Sequence, residues 1–185
     1  MSVLVNPVCP ENCEGALPPV LFDDCAPEIH YGQIVKLYLA NAEAADFTNV
    51  ELLSEWTTRL SADSTDPDAI RELTVIGDLP EPERTEQTIS GDRIITGQKQ
   101  FTMNFEVDET NVVNYEFMLT TECNLKFKLW AEMSDGILYG GNEGILASVL
   151  MNLLLPRERT DVVKYMGTAK WKSQFSPLRS TMPTA

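Results

Sequence analysis

The 185-residue chain is long enough for one domain of ordinary size, and at 43% hydrophobic and 8% aromatic it can bury a sizeable core, which excludes a disordered polypeptide. Lys+Arg is 14 against Asp+Glu 28, a formal net charge of −14; residues 41–123 hold 18 acidic and 5 basic side chains, whereas residues 124–185 hold 5 and 8. A nucleic-acid reader needs a basic face, so that class is disfavoured; what remains is a solvated acidic surface, or a chain whose acidic part in one copy meets the basic part of the next.

Residues 1–30 carry Pro7, Pro10, Pro18, Pro19 and Pro27, which suits neither a helix nor a central strand. Val20, Leu21 and Phe22 still need cover, so this segment reads as an arm that docks on its own core or on a neighbour. Residues 33–39 (QIVKLYL) read as a strand with Ile34, Lys36 and Tyr38 on one face and Val35, Leu37 and Leu39 on the other. Residues 47–60 read as a short helix whose stripe is Val50, Leu53, Trp56 and Leu60, capped by Asp46 or Thr48. Residues 61–68 are a polar loop, 72–76 a short strand, and 77–86 an acidic, proline-containing loop.

A strand over 88–96 broken at Gly91, a turn at Gly97 and a strand over 99–107 come next, with Phe101, Met103, Phe105 and Val107 alternating against polar residues. The period then lengthens into a helix over 109–123, entered through an Asp or Thr cap. In 125–132 (LKFKLWAE), Leu125, Phe127, Leu129 and Ala131 point inward and Lys126 and Lys128 outward. Ser134-Asp135-Gly136 is a hairpin turn, 137–139 the return strand and Gly140-Gly141-Asn142-Glu143-Gly144 another turn; 145–155 suits a helix or a long strand, and its tight coupling to the preceding hairpin with Pro156 at its end favours the strand. A last strand spans 162–175 with Gly167 as a bulge and Lys170-Trp171-Lys172 putting the tryptophan on one side, and the tail SPLRSTMPTA is extended. The reading is therefore mainly β (α+β): an antiparallel sandwich or barrel of six to eight strands, with one helix between strands, a short second helix and an N-terminal arm. The expected organisation is an arm over 1–30, one β-rich domain over 31–176 and a tail over 177–185.

Motifs for chemistry are lacking. There is no Gly-x-Ser-x-Gly elbow and no phosphate-binding Gly-x-x-x-x-Gly-Lys-Ser/Thr, and a single histidine excludes the histidine-rich metal sites. Cys9, Cys13, Cys25 and His30 are three thiolates and an imidazole that would close a tetrahedral zinc site. Their spacing lacks tight CxxC knuckles, so free thiols in the arm are preferred and no cofactor is expected. The carboxylate pairs Asp23-Asp24 and Asp108-Glu109 fit caps or solvated loops better than an acid–base pair. No catalytic residue is singled out, and a non-enzymatic protein is expected. Trp56, Trp130 and Trp171 are either sugar platforms or core and interface anchors; Phe22, Trp130, Tyr139 and Trp171 are the candidate subunit-contact residues. The first residues, MSVLVNP, lack a basic n-region and a long apolar core, and no apolar run reaches membrane-spanning length. A soluble protein made in a cytosol, without membrane insertion, is expected.

The stretches CAPEIHYGQIVKLYL (25–39), TISGDRIITGQKQFTMNFEV (88–107) and LWAEMSDGILYGGNEGI (129–145), taken with the arm and the last Lys-Trp-Lys strand, resemble a bacteriophage tail tube subunit of the kind made by phages that infect Bacteroidetes. The resemblance implies a virion structural protein that forms hexameric rings stacked head to tail, with other phage tail proteins as partners. It implies sheets joined around a channel, a helix bracing the outer side, arms reaching adjacent rings, and an acidic lumen through which ejected DNA slides without sequence-specific binding. The loop over 63–86 and the cysteine arm have no counterpart in that pattern. The competing expectations are another virion structural role (capsid decoration, head–tail connector or tail terminator) and a sandwich that binds carbohydrate or protein through its tryptophans or the Gly140–Gly144 turn.

Overall fold

Alternation over residues 145–152 is complete: Ile145, Ala147, Val149 and Met151 are buried while Leu146, Ser148, Leu150 and Asn152 face out. A run of that period must be a strand with one dry face, and several such runs assemble here into a ring. The computed structural model describes residues 30, 32–90, 93–123, 126–158 and 160–183. In chain order these form β1 (Ile34–Asn41), α1 (Leu53–Leu60), β2 (Ile70–Asp78), β3 (Glu83–Ser90), β4 (Arg93–Val107), α2 (Val112–Cys123), β5 (Lys126–Met133), β6 (Ile137–Tyr139), β7 (Ile145–Leu154), β8 (Lys164–Ser173) and β9 (Arg179–Thr181). The strands run in the order β1-β2-β4-β8-β7-β5, and β5 pairs back onto β1, so six antiparallel strands close into a barrel. Closure leaves the ring without free edges. β3 adds to β4, β6 to β5 and β9 to β6 outside the ring, so the tail expected to be merely extended contributes a strand.

The barrel interior is a packed core. Leu37, Leu39, Met103, Phe105, Leu129, Val149, Tyr165 and Ala169 fill it, each at most 2% exposed. Ile34 belongs to this set and not with Lys36 and Tyr38, as strict alternation predicts, because a bulge between Ile34 and Lys36 adds one residue and changes the face. Gly97, expected as a turn, lies inside β4: Arg84 pairs Lys99 and Glu86 pairs Thr96, so two residues of β4 oppose one of β3 and the strand continues through a bulge. The acidic loop of 77–86 is correspondingly shorter, residues 79–82, since β3 starts at Glu83. The expected break at Gly91 and the inward reading of Leu125 lie outside the described residues.

Gly167 is not a bulge. Its register with Phe105 and Met151 is regular, and the missing side chain makes room for the Phe105 ring lying against it.

α2 begins later than expected and is capped differently. Asn111 Oδ1 accepts the Asn114 N–H at 2.8 Å, so the cap is asparagine and not aspartate or threonine. The helix packs along β7 beyond the point where β5 stops pairing with it. There the buried Thr121 hydroxyl accepts the Met151 N–H at 3.3 Å and donates to Met118 O at 2.7 Å, standing in for a missing ladder partner. Met118 and Phe117 enter the barrel core, so α2 closes that core instead of bracing an outer wall. Thr121→Val keeps the shape and orphans the Met151 N–H. It is expected to cost about 1–3 kcal/mol, read as a lower urea midpoint at unchanged m value.

A second core lies outside the ring, over β1 and β5. Tyr38, Ala40 and Trp130 point away from the barrel and are covered by Ala44, Phe47, Val50, Trp56 and Leu138. Four aromatic rings interlock here: Trp56 lies 4.8 Å from Tyr38 and 4.6 Å from Phe47, and Trp130 lies edge-on to Phe47 at 5.3 Å and to Trp56 at 5.9 Å. α1 is shorter than the predicted 47–60 because the backbone of 47–50 is already bonded elsewhere. Phe47 N–H donates to Asn142 O and Val50 N–H to Asn142 Oδ1, while the Glu55 carboxylate accepts the N–H groups of Thr48 and Asn49. Neither Asp46 nor Thr48 caps the helix; Leu52 holds that position without a side-chain bond. Burial, and then the 2.6 Å hydrogen bond from its hydroxyl to Glu132, push the Tyr38 phenol well above its usual range, so it stays a donor.

Candidate interaction surface

The outward residues of β5, β7, β8 and β4 make one continuous sheet face. Lys126, Ser148, Lys170 and Thr102 form a row across the four strands, with Lys172 beside Gln100 one step along and Leu150, Thr168 and Asn104 in a further row. Leu146, Leu150, Leu154 and Met166 are exposed on this face, Leu146 by 53%. Five of the seven lysines of the chain lie here: Lys126, Lys128, Lys164, Lys170 and Lys172.

Two of the five are locally neutralised. Lys128 bonds Asp46 and the Ala44 carbonyl, and Lys164 bonds Glu106 at 2.7 Å, a contact that raises the lysine pKa. The side chains of Lys170 and Lys172 make no hydrogen bond or ion pair with any described residue. Glu106 is the one carboxylate among the outward residues 100–106 of β4, and the outward residues of β7 and β8 include none. An apolar and cationic face on a chain of charge −14 is the least expected surface of the molecule.

Further apolar residues sit at the barrel end where β7 meets β8 and α2 begins: Leu155, Val162, Val112 and Val113 are each at least 62% exposed. At the opposite mouth, a groove of about 630 Å³ has Ile34, Phe101, Met103 and Ile145 as its floor and Asp78, Glu81 and Pro177 among its rim residues. Tyr139, half-buried on β6, lines that groove.

The other contact candidates sit differently. Trp130 is 0% exposed: its Nε1–H donates to Gly141 O at 2.8 Å, and Gly140 and Gly144 wrap its ring. A Cβ on Gly140 would stand 2.5 Å from it, and one on Gly144 2.7 Å. The glycine-dense turn therefore holds a tryptophan and its own positive φ angles, 144° at Gly140 and 72° at Gly144. Full burial in its own subunit leaves Trp130 no area for a neighbour, which corrects its reading as a contact residue. Trp171 is 7% exposed and stacks on Phe101 at 5.0 Å, so it too is core, with Lys170 and Lys172 turned outward as expected. With Trp56 at 1%, none of the three tryptophans presents a platform for a sugar. Phe22, Cys9, Cys13 and Cys25 lie outside the described residues. His30 is exposed, with Nδ1 3.3 Å from Asp135 Oδ2, and among the described residues no three His, Cys, Asp or Glu side chains gather as a metal site.

The lysine pairs were visible in the sequence as outward positions. What was missed is that β5 and β8 flank β7 and so pool their lysines; the only sequence signal was the positive balance of the last third. Compared with protein-family models, curated proteins and solved structures, the chain matches none. Among the described residues no helix is long and apolar enough to cross a membrane.

Proposed function

We propose that this protein is a structural subunit that works through contacts between identical copies, and that the assembly is a bacteriophage tail tube of stacked rings enclosing a DNA channel. The observation that carries the reading is the exposed outer face of β7 and β8, where Leu146, Leu150 and Met166 stand among lysines on an otherwise acidic chain. Contiguous exposed apolar residues rimmed by polar ones mark interaction sites. The resemblance drawn from the sequence supplies the ring and tube. The net charge of −14 suits a channel wall that repels the phosphate backbone. Other virion structural roles share the same subunit contacts and differ in the product, giving rings without open-ended tubes or binding to a capsid lattice.

Negative-stain microscopy of the purified full chain tests this. Rings stacking into tubes are expected. Leu146→Asn with Leu150→Asn, two exposed changes expected to shift stability by only about 0.5 kcal/mol each, are expected to abolish them while leaving the far-ultraviolet spectrum intact. A chain that stays monomeric at high concentration sinks the proposal.

A further inference from the structure

The strand order sets two unlike surfaces against each other. In a ring that runs β1-β2-β4-β8-β7-β5, the strand across from β7 is β2 and the strand across from β8 is β1. The β7–β8 side carries the lysine face. The β2 side carries residues 63–82, a loop, strand and loop in which Asp63, Asp66, Asp68, Glu72, Asp78 and Glu81 stand against Arg71 alone. On β2 itself the outward positions are Glu72, Thr74, Ile76 and Asp78, and Ile76 is 51% exposed.

Part of this charge is used internally. Glu72 pairs with Lys36 at 3.0 Å, Asp68 accepts the Ala45 N–H and Asp66 accepts the Asp68 N–H. The carboxylates of Asp63, Asp78 and Glu81 bond no described residue. Each side therefore holds exposed apolar groups among charges predominantly of one sign, and the predominant signs are opposite.

We propose that the lysine face of β5, β7 and β8 receives the acidic β2 flank, residues 63–82, of a second copy of this chain. The inference rests on the self-assembly reading and names the two surfaces that meet. Because the two surfaces differ, the contact is heterologous: each copy offers one face to the copy ahead and the other to the copy behind, and repetition gives a closed ring or an open filament, not a symmetric pair. Complementary charge orients the approach and rejects the two wrong pairings, lysine on lysine and carboxylate on carboxylate. The apolar centres, Leu146 and Leu150 on one side and Ile76 on the other, lose their water once the charges have set the register.

The test is a charge exchange on the full chain, read by sedimentation velocity. Lys170→Glu with Lys172→Glu, and separately Asp78→Lys with Glu81→Lys, are each expected to weaken self-association at least about tenfold. Mixing the two doubly substituted chains is expected to restore it, because each then offers one native and one reversed face, and the two reversed faces match. Wild-type association is expected to weaken with salt, as the screening length falls from about 10 Å at 0.1 M to about 3 Å at 1 M. Lysine-side variants that associate as wild type does overturn the proposal. So do two weakened variants that fail to rescue each other in the mixture. Retardation of a DNA duplex by the wild type, lost in the lysine variant while association is unchanged, also overturns it and makes the face a phosphate site. A wild type that never associates sinks the assembly reading itself, whereas an associating wild type with indifferent variants sinks only this pairing of faces.

Discussion

Trp130→Ala is expected to remove about 3–5 kcal/mol of stability, a large share of the roughly 5–15 kcal/mol that holds a domain folded. The indole is wholly buried between β5, the glycine turn and the aromatic cluster, so its loss opens a cavity that Gly140 and Gly144, which have no side chains to move in, cannot fill. It also strands the Gly141 carbonyl that Nε1 bonds, and removes the edge contacts to Phe47 and Trp56, each worth about 0.5–1.5 kcal/mol. The measurement is a urea titration, where the midpoint should fall sharply. A second readout separates core from contact surface. Under conditions where the variant remains folded it should associate as the wild type does, since no part of the ring reaches the surface. A stable Trp130→Ala chain that fails to associate would return Trp130 to the interface and contradict its burial.

Gly167→Ala is expected to cost about 1–3 kcal/mol or more, the range of an overpacked core. A Cβ at this position would occupy the space of the Phe105 ring, which is itself only 1% exposed and hemmed in by the rest of the barrel interior. Glycine inside a strand weakens the strand, so the position is held for the ring and not for backbone freedom. Coupling provides the check: Phe105→Leu should destabilise the wild type but recover part of the loss in the Gly167→Ala background, as expected for two groups that compete for one volume. Simple additivity of the two changes, or a neutral Gly167→Ala, would mean the backbone moves aside.

Where one face of a strand is dry, its residues announced it. The alternations in 99–107 and 125–132 placed Phe105 and Leu129 inside, the preceding hairpin and Pro156 favoured a strand over 145–155, and the turns at Gly136 and Gly140–Gly144 followed from glycine at positive φ. The sequence was silent wherever tertiary partners override local pattern. β3 is built almost wholly from polar residues and exists because β4 offers it a ladder; 47–50 forgoes helix because Asn142 and Glu55 take its N–H groups; Ile34 changes face at a bulge. Periodicity also marks a residue as outside the barrel without saying what lies over it. Trp130 therefore read as available, although a second layer of α1 and residues 44–50 seals it. The candidate surface was half legible for the same reason. Each lysine pair pointed outward in its own strand, but only the neighbour order β5-β7-β8 makes them one face.

The pairing of β1 with β5 has a kinetic consequence. The two strands that seal the ring come from residues 34–41 and 126–133, with the hairpin of β3 and β4 and both helices strung between them. Such a long loop must be closed before its contacts repay the entropy, which places this chain among the slower folders. Until the seal forms, each copy shows two bare strand edges to every other copy made beside it. In that interval any pairing of those edges between copies is an error, and once the ring is sealed those edges are gone.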